Sequence, residues 1–187
     1  MTDNKKIIEQ TKNWLSSVIV KYNICPFAGR ELKRDSIRYS VLYQTDLQQC
    51  LLNLIDECNI LNADKDIATT LLIYKDMFTE FDSYLNFLDT ANALMVDMGY
   101  EGDYQLASFH PHYCFANAEA DDAANYTNRS PYPMLHIIRE ASLEQALKDY
   151  LEPETIPENN ISLTRKLGLK KMQAMLQACY DVKNNGK

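Results

Sequence analysis

The chain has 187 residues, 46% of them apolar and 24% charged, with a net charge of −7. That is enough chain to bury one core and an ordinary composition for a globular domain, and no apolar run approaches the roughly 20 residues that span a bilayer. The start carries no apolar signal core, and the five cysteines (Cys25, Cys50, Cys58, Cys114, Cys179) are scattered with no CxxC pair, so the expected setting is a reducing cytoplasm, without membrane insertion.

The charge is unevenly spread. Residues 1–38 hold eight Lys/Arg against four Asp/Glu, residues 39–128 two against fifteen, and residues 129–187 nine against seven. The acidic middle would repel a phosphate backbone, so nucleic acid is not expected as a partner.

Residues 4–22 repeat Ile7, Ile8, Trp14, Leu15, Val18, Ile19 and Tyr22 at helical spacing. "NICPF" stops that helix. "SIRYSVLY" (36–43) alternates as a half-buried strand. Residues 45–61 form a helix with one apolar stripe, from Leu47 through Leu61. "IATTLLIY" (67–74) is a buried-strand run. Residues 79–98 give a second striped helix, ended by Gly99. "DYQLASF" (103–109) and "PMLHIIR" (133–139) are the third and fourth strands, and Pro133 fits only a first position. Ser142 opens a short helix, "EPETIPENN" reads as a linker, and a final helix follows over 161–182, with Gly168 its weak point.

This alternation predicts an α/β fold: a single layer of mixed, mostly parallel four-stranded sheet, covered by helices. Residues 1–150 form the domain, 151–160 the linker, and 161–187 an extra carboxyl-terminal helix packed on or beside it. The sequence assigns neither a cofactor nor an oligomeric state.

Ligands of open α/β sheets gather beyond the carboxyl ends of strands. The third strand ends in a connection of over twenty residues, rich in aromatic and polar side chains, and such loops are functional or disordered. His110, at the strand end, is placed as an acid/base group. Asp122 is its assisting base or a cation ligand, against the plainer role of a helix start. Arg129, alone between Lys75 and Arg139 in an acidic region, is a fork for a substrate carboxylate or phosphate, or a partner of Asp121 or Asp122. Asn125, Asn128, Ser130 and Arg139 complete the binding group. His136, on a strand face with Met134 and Ile138, reads as a hydrogen-bonded core residue and ranks below His110.

"NICPFAGR" is the second locus. Pro26 opens a helical turn that Cys25 caps, with Arg30 and Lys33 near, an arrangement that favours a thiolate nucleophile. The plainer reading is a small buried hydrophobe. "HPHYC" sets His110, His112 and Cys114 at alternate positions, but Pro111 interrupts any zinc geometry. The five cysteines never pair at ligand spacing, so no metal site is assigned.

The stretches "NICPFA", "TTLLIY", "YQLASFHPHYCFA" and "DDAANYTNRSPYPMLHIIREASL" together resemble an uncharacterised bacterial family, the domain of unknown function numbered 1415. The resemblance spans about residues 10–150 and leaves out the final helix. It implies no activity, since the family has none assigned. Its pattern FHPxYxF is met by Phe109, His110, Pro111, Tyr113 and Phe115. His112 and Cys114 fall at its open positions, so the resemblance favours His110 alone over a His-His-Cys metal set.

The expectation is an enzyme, a hydrolase or transferase, acting on a small anionic substrate by His/Asp acid–base or metal-assisted chemistry. The competing expectation is a non-catalytic module that uses the 108–130 loop for a small ligand or a protein.

Overall fold

The computed structural model describes residues 2–148, 150 and 152–181. Helix α1 (Asp3–Trp14) continues as a wider π-helical stretch, Leu15–Val20, so the first expected helix is one rod with a change of pitch. Asn23, at φ 53°, turns the chain away. A short helix α2 (Ala28–Lys33) follows. Strand β1 (Ile37–Leu42), helix α3 (Leu47–Ala63), strand β2 (Thr69–Tyr74), helix α4 (Phe81–Asp97) and strand β3 (Tyr104–Phe109) come next. Each lies within two residues of its expected span. Gly99, at φ 76°, supplies the left-handed residue just beyond α4.

Strand β4 (Met134–Arg139) enters the sheet between β2 and β3, giving the order β1-β2-β4-β3. β1 pairs with β2 in parallel, while β4 pairs antiparallel with both β2 and β3. The fold is α/β with a mixed four-stranded sheet, but that sheet is not mostly parallel. The reason lies in the connection 110–133. A parallel partner needs a crossover that carries the chain back to the opposite end of the sheet. Here Phe109 pairs with Met134, so the connection starts and ends at one edge. It is the loop of a long hairpin, and β4 has to run against β3.

Both sheet faces are covered. The central strand β2 is buried at every position. Its Leu72 and Tyr74 pack with Cys50, Leu54, Tyr84 and Phe87 of α3 and α4. Its Leu71 and Ile73 pack on the opposite side with Ile7, Trp14, Val18, Tyr126 and Met172.

The chain then forms helix α5 (Glu140–Leu147), a 3-10 turn (Pro153–Thr155), helix α6 (Ile156–Leu167) and helix α7 (Leu169–Ala178). The segment read as a linker, 151–160, therefore contains that turn and the start of α6. The single final helix is two helices, because Gly168 takes φ 84° and ψ 150°, outside helical space. Residues 182–187 lie outside the described residues. α6 lies against the turn 123–127 of the long loop. No helix of the described residues is long and apolar enough to cross a membrane.

Candidate functional site

The polar side chains of the long loop are taken up largely by main-chain groups of the loop and of the elements beside it. His110 turns toward α4 and is fully buried, its ring centroid 5.2 Å from those of both Phe81 and Tyr84. Its Nε2–H donates to the Phe78 carbonyl at 2.8 Å, and its Nδ1 accepts from the His112 N–H at 3.0 Å. Both ring nitrogens are thus engaged, and burial pushes the pKa down. The acceptor, Phe78, holds a left-handed φ of 61°, which the His110 bond helps to fix.

The other loop groups have similar tasks. Asn125, fully buried, accepts from the Phe115 N–H at 3.0 Å and donates to the Glu119 carbonyl at 2.8 Å. Asn128 donates to the Ser108 carbonyl, and Ser130 donates to that of Tyr132. Arg129 donates through Nε to Tyr113 O at 2.9 Å and through Nη2 to Ala120 O at 2.8 Å, and its guanidinium lies 4.7 Å from the Tyr126 ring centroid. Neither Asp121 nor Asp122 is its partner. Asp122 caps the turn 123–127 by accepting from the Ala124 N–H, and takes a fork of bonds from Arg165 of α6, the shortest 2.6 Å. Arg165 holds the Asp122 carboxyl below its usual range. Asp122→Ala is expected to lower stability by about 1 kcal/mol, the usual cost of a lost cap, measured by urea unfolding at pH 7. Arg139 reaches the other way, to Tyr104 Oη and to the Leu61, Asp64 and Ile67 carbonyls, closing the end of α3.

The cavity lies elsewhere. A space of about 1060 Å³ opens on the sheet face opposite α3 and α4. Its floor is Ile37 of β1, Thr69 and Leu71 of β2, and His136 and Ile138 of β4. Trp14, Leu15 and Ile19 form one wall, and segment 24–34, α5 and the start of α6 form the others. Two contacts hold these walls together. Asn160 of α6 donates to the Ile24 carbonyl at 2.8 Å, and Phe27 meets Tyr150 edge to face at 6.1 Å.

His136 is the chemical feature of this floor. Its Nε2 lies 2.7 Å from Thr69 Oγ1, whose own proton goes to the Ile137 carbonyl at 2.5 Å. A hydroxyl has one proton, so Nε2 must be the donor to Thr69. Nδ1 is left with its lone pair and no hydrogen-bond partner among the described residues. The side chain is half-buried and lines the cavity, and burial pushes its pKa down to about 4. The imidazole is neutral at pH 7.

The cavity brings together Cys25, Asn128 and the border residue Arg139 from the expected set. It does not include His110, Asp122, Asn125, Arg129 or Ser130. It adds His136, Thr69, Arg34, Lys65 and Trp14. One signal for His136 was present: a histidine and a threonine sit at inward positions of two apolar strands. Cys25 does not cap α2. That helix starts at Ala28 with Phe27 before it, and Cys25 lies in the preceding turn, its carbonyl accepting from the Ala28 N–H. Among the described residues no three His, Cys, Asp or Glu side chains converge as a metal set.

The thiols sort by setting. Cys50, Cys58 and Cys179 are buried, and burial lifts Cys50 to about 11 and Cys58 to about 12. Cys25 and Cys114 are partly exposed, but Cys114 Sγ is turned to the Ala118 carbonyl at 3.4 Å. Partial alkylation at pH 7.5, read by mass spectrometry, should label Cys25 first and Cys50 and Cys58 last. A Cys25 that stays unlabelled until unfolding would mean the cavity is closed to small reagents.

A family model described as "Protein of unknown function (DUF1415)" matches residues 6–174, which takes in the whole sheet, the cavity and α6. No curated protein and no solved structure matches the chain.

Proposed function

The chain belongs to the DUF1415 family of proteins of unknown function, whose description carries no activity, and from its own residues we propose that it is an enzyme, a hydrolase or transferase, that binds a small organic anion in the cavity over β2 and β4. His136 then takes the acid–base role first expected of His110. The observation that carries this is the asymmetric state of its ring: Nε2–H is fixed on Thr69, and Nδ1, on a residue that lines the cavity, keeps its lone pair without a partner among the described residues. The imidazole is neutral and fixed in orientation, so it can accept a proton, as a weak base whose depressed pKa lies below the working pH. Cys25 lines the same cavity and is the nucleophile of the reading. The reading carries a cytoplasmic setting, which five unpaired thiols fit.

The test is His136→Gln, which keeps a donor for Thr69 and removes the Nδ1 lone pair. Purified protein is incubated with a cell metabolite extract and the mixture followed by mass spectrometry. Wild type should consume at least one anionic metabolite, and the variant should do so about 10²–10⁴-fold more slowly, the usual worth of a general base. No turnover by wild type would leave the competing reading, a non-catalytic binder, which the mostly apolar lining of the same cavity favours.

A further inference from the structure

The shape and lining of the cavity narrow the ligand. About 1060 Å³ lies just above the roughly 300–1,000 Å³ range of ligand clefts. An acetate or a lone phosphate would leave most of it unfilled, and its walls without contacts. The space is also long. Phe109 and Asn128 stand at the β3 end of the sheet, level with Met134, and Ile138 and Arg139 stand at the other. Four to five strand residues separate them, about 14–17 Å. Along this length the walls are mostly hydrocarbon, with Trp14, Leu71, Phe109 and Ile138 among them.

The charge is confined to one end. Arg34 precedes β1 and Lys65 precedes β2, and because those strands are parallel both residues stand at the same sheet edge, where the Ala68 N–H donates to the Ser36 carbonyl. Neither makes an ion pair among the described residues. Of the two acids on the same rim, Glu31 is held by Arg30 at 3.3 Å and by Ser36 at 2.6 Å, which leaves Asp66. Arg139, at the same end, bonds only a hydroxyl and carbonyls, so three cations without an ion pair among the described residues stand against Asp66, a local excess of positive charge in a chain of net −7.

We propose that the cavity takes an amphipathic anion: an extended hydrocarbon body, acyl or aryl, that ends in a single carboxylate or phosphate. The body lies along β2 and β4 across His136, and the head rests at the edge beside Arg34 and Lys65. This rests on the cavity being the site proposed above.

Trp14 is the single tryptophan and one of the residues around the cavity, but it is only 1% exposed, so its emission is the optical readout and titration calorimetry the direct one. Decanoate, 1-decanol, acetate and inorganic phosphate are titrated as free monomers into wild type, into Arg34→Gln/Lys65→Gln, and into Ala146→Phe, which fills the cavity from α5. Decanoate should shift Trp14 emission with saturation, decanol should bind at least tenfold more weakly, and acetate and phosphate should give no shift. The double variant should weaken decanoate about tenfold and leave decanol unchanged. Ala146→Phe should abolish the decanoate response while its thermal midpoint stays within a few degrees. Decanol equal to decanoate, or phosphate binding as well as either, overturns the ligand class and leaves the cavity as the site. A decanoate response that survives Ala146→Phe, or none in wild type, overturns the cavity itself.

Discussion

Arg129→Ala is expected to destabilise the protein by about 2–3 kcal/mol with no ligand present. The guanidinium bridges two carbonyls of its own loop, Tyr113 O and Ala120 O, and lies on Tyr126. A hydrogen bond to a charged group contributes about 1.5–3 kcal/mol, and a cation over an aromatic face about 0.5–1 at a wet site. The Ala120 bond is exposed, which sets the total near the lower sum. The backbone of Arg129 matters as well, since its carbonyl accepts from Trp14 Nε1 at 3.0 Å and ties α1 to the loop, but that bond survives the substitution. Lysine has no planar fork and cannot hold both carbonyls, so Arg129→Lys should recover less than half of the loss. Urea unfolding of the three proteins at pH 7 measures this. Equal stabilities would free the arginine from its structural role and return it to the list of ligand contacts.

The same residue illustrates what the sequence could show. A lone arginine in an acidic stretch does have specific partners. They are main-chain carbonyls, which leave no mark in a sequence, so carboxylates were the visible candidates. The helices α3 and α4 and the strand β2 were legible because an apolar stripe or run reports burial directly. The direction of β4 was not, since alternation with period 2 reads the same both ways along a strand. Direction came from the loop, whose two ends meet at Phe109 and Met134. The strand alternation puts His136 on one face with Ile138, and both line the cavity floor. Whether that face meets a packed core or a cavity depends on α5, α6 and segment 24–34 closing around it. Those walls are assembled by tertiary contacts far apart in sequence, such as Asn160 to Ile24. The polar crowding of the long loop had the opposite outcome: a stretch rich in donors and acceptors builds its own fold, because no ladder serves its backbone.

The stability of the wild-type protein should fall in mild acid by an amount that His136 controls. Its pKa is about 4 in the folded protein against an ordinary 6.5, and the cause is burial. Between those values the unfolded chain holds a proton on this imidazole and the folded chain does not. Stability therefore rises with pH across the window, is complete above about 6.5, and is lost as pH falls toward 4. At 1.36 kcal/mol per unit, the loss between pH 7.5 and pH 4.5 is about 2.5 kcal/mol. His110, also depressed by burial, acts in the same direction, and Asp122 loses its ion pair at lower pH. Both are present in His136→Gln, so the difference between wild type and that variant isolates one ring. Urea unfolding at pH 7.5, 6.5, 5.5 and 4.5 gives that difference, which should shift by about 2.5 kcal/mol against wild type as the pH drops. A difference that stays flat would mean the imidazole takes up its proton at an ordinary pH inside a wetted cavity. His136 would then be charged in mild acid, and a neutral acceptor at Nδ1 could not be the form that meets the substrate there.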